Sequence, residues 1–166
     1  RWLNAANTVA TSISDLLSAT DSVVHTNVLI YEPTQRQMTL IGSSTAEGQA
    51  LAKTGFAFPA ERGITGWAAQ QQKPCFINDT AYDPDQRFLA NAAFPNIRSA
   101  LAVPILLDNQ RVAVLDIESP IANDVAYEDL ELMNHVAHYL LAAYQRSRML
   151  EFHQQLATLG TELANR

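Results

Sequence analysis

Apolar residues recur at Trp2, Ala6, Val9, Ile13 and Leu16 in alternating steps of four and three, which places them on one stripe of a helix. That helix is expected to end near Thr20. The period then changes: residues 24–31 and 38–42 are β-prone runs flanking Glu32-Pro33-Thr34-Gln35, where proline opens a turn, and together they predict a hairpin. A third strand is expected over residues 54–58. Residues 65–72 read as a short helix stopped by Pro74, followed by a short strand over 75–77. Residues 78–96, with Pro84, Pro95 and several Asp and Asn, show no period and form the longest irregular segment, a natural lid. A second hairpin is expected from residues 98–107 and 111–118 across Asp108-Asn109-Gln110.

The closing helix is predicted from Ala126 to about Leu163. At about 1.5 Å per residue it would span roughly 57 Å, whereas a domain of this size is only roughly 35 Å across. Its tail must project. Along that tail Met149, Phe152, Leu156, Leu159 and Leu163 keep the alternating steps of a coiled-coil seam. Runs of strands with helices gathered at the chain ends indicate an α+β fold, a central antiparallel sheet covered by helices on one face.

Several short motifs follow one another in a fixed order: Gly63-Ile64-Thr65-Gly66-Trp67, the Lys73-Pro74-Cys75 break, an Asp83-Pro84 loop, residues 98–105 and then residues 112–119. This order resembles the second half of a GAF domain, the small-molecule-sensing module of signalling proteins. Residues 126–150 are similar to that family's closing helix and residues 3–17 to its opening one. The resemblance implies a GAF/PAS-like arrangement, with terminal helices packed on one face of the sheet and a ligand pocket on the other. It further implies a sensory domain over residues 1–150 and the start of a C-terminal signalling helix, a coiled-coil linker, over 151–166.

With 166 residues, 48% hydrophobic and 17% charged, the chain has the composition of one globular domain. A net charge of −6 and a pI near 5.1 argue against nucleic acid as a partner, since a duplex binder needs a basic patch to displace counterions. No apolar run is long enough to cross a bilayer, so no membrane contact is expected of this segment, and a cytoplasmic setting is expected. The chain opens at Arg1 and ends in a helical pattern, so it reads as part of a longer protein, which the resemblance implies is a signalling protein of bacterial type.

Cys75 is the only cysteine. It reads as a small, half-buried hydrophobe beside Phe76, because a reactive thiol needs a cation or base and only Lys73 is near in sequence. Bilin-carrying relatives usually place a histidine after their cysteine, where this chain has Phe76. Free methionine sulfoxide reductases of this fold use several cysteines that resolve one another, a cycle that one thiol cannot close. Cyclic-nucleotide-binding relatives carry an Asn-Lys pair, a Phe and an Asp-Glu pair in this loop. Asn78 and Phe88 overlay on that pattern, but Asp79 replaces the lysine and Leu89-Ala90-Asn91 offers no acidic pair.

Asp79, Asp83 and Asp85 lack the spacing of a calcium loop and read as a solvated turn. His135 and His138 lie three apart with no third ligand indicated, so no metal site is expected. No catalytic triad, phosphate-binding glycine loop or paired general acid and base is legible. The glycine turn at Gly63 is either a helix start or a set of free backbone N–H groups able to hold an anion or carbonyl. Candidate ligand-binding residues are Phe56, Phe58, Trp67, Cys75, Phe88, Arg98, Ser99 and Asp116. Asp116 and Glu118 stand out because a carboxylate in an otherwise apolar strand needs a partner.

The expected function is therefore a non-enzymatic sensory and dimerisation module that binds an unidentified small molecule, with no cofactor named, and pairs as a parallel homodimer through its terminal helices. A pocket lined by Trp67, Arg98 and Ser99 favours sensing; one closed by Phe56, Phe58 or Phe88 favours a degenerate domain acting as a dimerising spacer. Cyclic-nucleotide binding and methionine sulfoxide reduction stand behind both.

Overall fold

A computed structural model describes residues 2–18, 22–83 and 96–165. Among these, six strands form one antiparallel sheet in the order β3-β2-β1-β6-β5-β4. The expected hairpins are present as β1 (His25–Glu32) with β2 (Gln37–Ser43) and β5 (Ser99–Leu106) with β6 (Val112–Ser119). β1 and β6 pair antiparallel at the centre. β3 (Ala57–Pro59) and β4 (Cys75–Ile77) close the two edges. β4 pairs only with Ala100 to Ala102, so the half of β5 holding Pro104 borders open edge, where a missing N–H is tolerated.

The terminal helices α1 (Trp2–Leu17) and α4 (Asp129–Ala164) share one face of the sheet. Ala6, Val9, Ala10 and Ile13 are the buried side of α1, meeting Val28, Leu101, Leu115 and Ile117 from the strands. Leu16 departs from the expected stripe: it is exposed, and Leu17 packs in its place. On the opposite face lie α2 (Ala46–Lys53) and α3 (Gly63–Gln71), over a second cluster that includes Leu29, Met38, Ile64, Ala68, Cys75 and Val114. The sheet is thus covered on both faces.

The helix α2 occupies chain that the pattern left unassigned, and β3 begins three residues later than expected. Thr45 caps α2 by accepting from the Gly48 N–H at 3.1 Å, with Glu47 in the first turn. At α3, Gly63 takes a left-handed φ of 79°, and a Cβ at Gly66 would lie 1.9 Å from the Ala60 carbonyl oxygen. The two glycines therefore serve a tight helix start pressed on the preceding turn.

In α4, Met133, Ala137, Leu140 and Tyr144 pack on the sheet. Tyr144 is a double anchor: its hydroxyl donates to Asp108 in the β5–β6 turn at 2.6 Å, and Trp2 packs edge-on against its ring at 5.2 Å. That bond holds the Asp108 carboxyl below its usual pKa. Beyond Tyr144 the helix leaves the body, and every residue from 148 to 165 is exposed. At about 100° per residue, the seam of Met149, Phe152, Leu156, Leu159 and Leu163 is turned roughly a third of a turn from the sheet-facing side. No helix among the described residues is long and apolar enough to cross a membrane.

Candidate functional site

Side chains alternate across a strand, so the parity of β6 decides what each residue faces. Ala113, Leu115 and Ile117 belong to the cluster under the terminal helices, while Val112 and Val114 belong to the cluster under α3. Asp116 and Glu118 follow the second set. Both face the α3 side, and both are more than nine-tenths buried. On β1 the same reasoning places Asn27 with Leu29 on that side, directly opposite Asp116.

Two carboxylates in so dry a place are held towards their protonated forms. Burial pushes the Asp116 pKa up to about 7, against hydrogen bonds from Asn27 and Glu118 that favour the charged form. Burial and then the charge of Asp116 raise Glu118 well above the ordinary carboxylate range. Oδ1 of Asp116 and Oε2 of Glu118 meet no hydrogen-bond donor among the described residues. Ala102 and Ala100, their partners on β5, place only methyl groups beside them.

The remaining candidates are distributed around the sheet. Cys75 is buried on β4 and paired with Ala102, so it shares the α3 face and the row of Asp116. Arg98 sits just before β5, where its guanidinium grips Asp79 through Nε at 2.9 Å and Nη2 at 2.7 Å. That grip lowers the Asp79 pKa and fixes the 3-10 turn at Thr80–Tyr82, which Asp79 also caps through the Ala81 N–H. Ser99 has the parity of Leu101 and faces the terminal helices. Its hydroxyl donates to the Ile121 carbonyl at 2.7 Å and accepts from the Val125 N–H at 3.1 Å.

Phe56 and Phe58 pack with ring centres 6.1 Å apart and planes tilted by 43° on the β3 edge, three strands from Asp116. Trp67 is partly exposed on α3, whose Ile64, Thr65, Ala68 and Ala69 are the buried side. Phe88 and most of the expected lid lie outside the described residues. Asn27 and Ser43 escaped the sequence reading, because their place beside Asp116 depends on strand pairing and not on any local motif.

The end of β6 is tied to the approach to α4. The Ser119 and Ser22 hydroxyls both donate to Oδ2 of Asp124, and the Arg98 N–H donates to the Ser119 carbonyl at 2.7 Å. Glu118 is therefore one residue from a clamp that holds the connection to the long helix. On the other side of the sheet, an open groove of about 520 Å³ runs between Trp2 and Ala5 of α1 and Tyr139, Ala143, Arg146 and Leu150 of α4. It is remote from the acidic pair. Among the described residues no group of three or more His, Cys, Asp or Glu could hold a metal ion.

This chain belongs to the GAF domain family, whose model matches residues 5–145. Its fold is similar to that of the free methionine-R-sulfoxide reductase from Neisseria meningitidis in complex with its substrate: TM-score 0.71, 17% identity, covering 90% of this chain and 81% of that one. The GAF domain from the Acinetobacter phosphoenolpyruvate-protein phosphotransferase gives a TM-score of 0.68 at 12% identity, with 90% and 85% covered. Residues 122 to 287 of a methyl-accepting chemotaxis protein give 0.68 at 16% identity, with 90% and 92% covered. At such identities the likeness is one of fold alone. Among curated protein sequences none matches this chain.

Proposed function

We propose that this chain is a small-molecule-binding sensory and dimerisation module of a multidomain, cytoplasmic signal-transduction protein, and not itself an enzyme. The observation that carries the reading is the course of β6. It presents two buried carboxylates with unpartnered oxygens to the α3 face, then passes through the Ser119–Asp124 clamp into the helix that leaves the domain. A ligand that changes the packing around Glu118 acts one residue from that clamp, and so biases the helix by population shift. Residues 1–150 are the sensor in this scheme and 151–166 the start of the output helix, in keeping with a buried α4 face that ends at Tyr144.

The exposed seam on the tail supports pairing with a second copy, parallel so that both output segments leave at one end. Methionine sulfoxide reduction, the activity named for some proteins of this fold, has less support here, since the chain has a single, buried thiol. The spacer reading draws on the buried apolar cluster between α3 and the sheet.

Native mass spectrometry of freshly purified protein tests the reading, together with hydrogen exchange across β6 and residues 119–128. The expected result is a carried-over small molecule whose removal speeds exchange in both segments. Protein that carries nothing, and whose exchange no compound alters, would favour the spacer.

A further inference from the structure

Strand pairing assembles a polar row that no stretch of sequence contains. Ser43, Asn27, Asp116, Ala102 and Cys75 are successive partners across β2, β1, β6, β5 and β4, with Glu118 one step along the same face. The Ser43 hydroxyl donates to the Asn27 carboxamide oxygen at 2.9 Å, which leaves the Asn27 NH₂ as the donor that steadies Asp116. Asp116 and Glu118 still present Oδ1 and Oε2 unpartnered, in residues only 6% exposed. Positions i and i+2 lie roughly 7 Å apart along a strand, so two carboxyl tips can converge on one atom.

The surroundings narrow what that atom is. The helix α3, which covers this face, contains no charged residue. His25 on β1 pairs with Glu118, but burial lowers its pKa against the pull of Glu47 from α2. On β4 the titratable group is the buried Cys75. Anions are repelled by two acids. A divalent cation wants six or more oxygen ligands, whereas among the described residues the buried acids on this face number two and the Asn27 oxygen is already engaged. A primary ammonium is compact, carries three N–H donors and satisfies both orphan oxygens at once.

We infer that Asp116 and Glu118, steadied by Asn27, form a recognition site for the primary ammonium group of a small organic cation. This deepens the sensory reading and rests on it. Without ligand the pair keeps protons that burial favours. The incoming ammonium makes the ionised pair the better state, so binding releases protons and strengthens as pH rises from 5 towards about 7.

The test is thermal unfolding and titration calorimetry of the full chain. Methylamine, ethanolamine, putrescine and the standard L-amino acids form one arm; choline, acetate, cyclic GMP and calcium chloride form the other. At least one primary amine is expected to raise Tm at millimolar concentration. Its binding heat should differ between two buffers of unlike ionisation enthalpy, which reports the released protons. Asp116→Asn and Glu118→Gln, both close to isosteric, should each weaken that amine by about tenfold or more. The buffer comparison needs only wild type, so it decides even if a variant fails to fold. Amines that leave Tm unchanged, amine binding without proton release, or variants that bind as well as wild type overturn the inference. Binding from the second arm alone overturns the ammonium class and leaves the sensory reading standing; no binding from either arm, with nothing carried over by the purified protein, removes both.

Discussion

The two faces of the central sheet are built from the same strands and do different things. Towards α1 and α4, Leu101, Leu115 and Ile117 are fully enclosed, and the hydroxyls of Ser14 and Ser99 donate to the backbone carbonyls of Val24 and Ile121. Thr26 is the exception, its hydroxyl lacking a partner among the described residues. Towards α3, the next residues along β6 are carboxylates, one of them facing an asparagine. An apolar face stabilises through burial, at about 25 cal/mol per Å². A buried acid pair without a cation destabilises the fold, and such strain persists where a site uses it. Substitutions on adjacent residues of one strand should therefore have opposite signs.

The largest effect is expected on the helix face. Leu115→Ala removes a fully buried side chain and should destabilise by between about 2 and 5 kcal/mol in urea unfolding. A loss under about 1 kcal/mol would show that this face is no better packed than the other.

One residue on, Asp116→Asn should stabilise. The folded pKa near 7 lies above the ordinary value of 3.8, so between these pH values the folded state binds more protons than the unfolded one. Stability then falls as pH rises through this window and levels off above it for this group. Glu118, also raised, extends the decline upwards. Asp116→Asn should flatten the profile between pH 4 and 7 and gain most at pH 8. A wild type more stable at pH 8 than at pH 5 would contradict the assignment.

Smaller effects probe the borders of the two faces. Tyr144→Phe deletes the hydroxyl that binds Asp108 and should lower stability by about 1–2 kcal/mol, loosening the point where α4 leaves the sheet. Cys75→Ser should cost on the order of 1 kcal/mol through burial of a hydroxyl, with amine binding retained. Abolished binding in folded Cys75→Ser protein would give the thiol a role in the site. Least affected in its core should be the double variant Leu156→Asp and Leu159→Asp. Sedimentation should show a dimer become a monomer while thermal unfolding of the domain hardly moves, since both residues are already exposed. A monomeric wild type at tens of micromolar removes the dimer from the proposal.

Local pattern was enough for most of the elements. The two hairpins, the short helix before Pro74 and the strand at Cys75–Ile77 lie where period and turn residues put them, because those signals act within a few residues. α2 was illegible because its apolar face is weak: it buries only Gly48 fully and is held by its cap and by the underlying Ser43. Asp116 was visible as a charge in an apolar strand. Trp67 and the Phe56–Phe58 pair were singled out as aromatics, yet they lie on the outer part of α3 and on the far edge strand.

By itself the sequence determined the order of the strands, the amphipathic stripe of α1 as far as Ile13, the approximate length of α4 and the seam along its tail, since each follows from spacing along one continuous segment. Tertiary structure decided which side of the sheet each side chain serves. A shift of one residue exchanges the faces of a strand, so Ser99 became part of the β6–α4 clamp while Asp116 turned to α3. It also decided the company of Asp116. Asn27 and Ser43 stand in its row only because β1 pairs with both β6 and β2, contacts between segments far apart in the chain that hydrophobic burial and the backbone ladder select together.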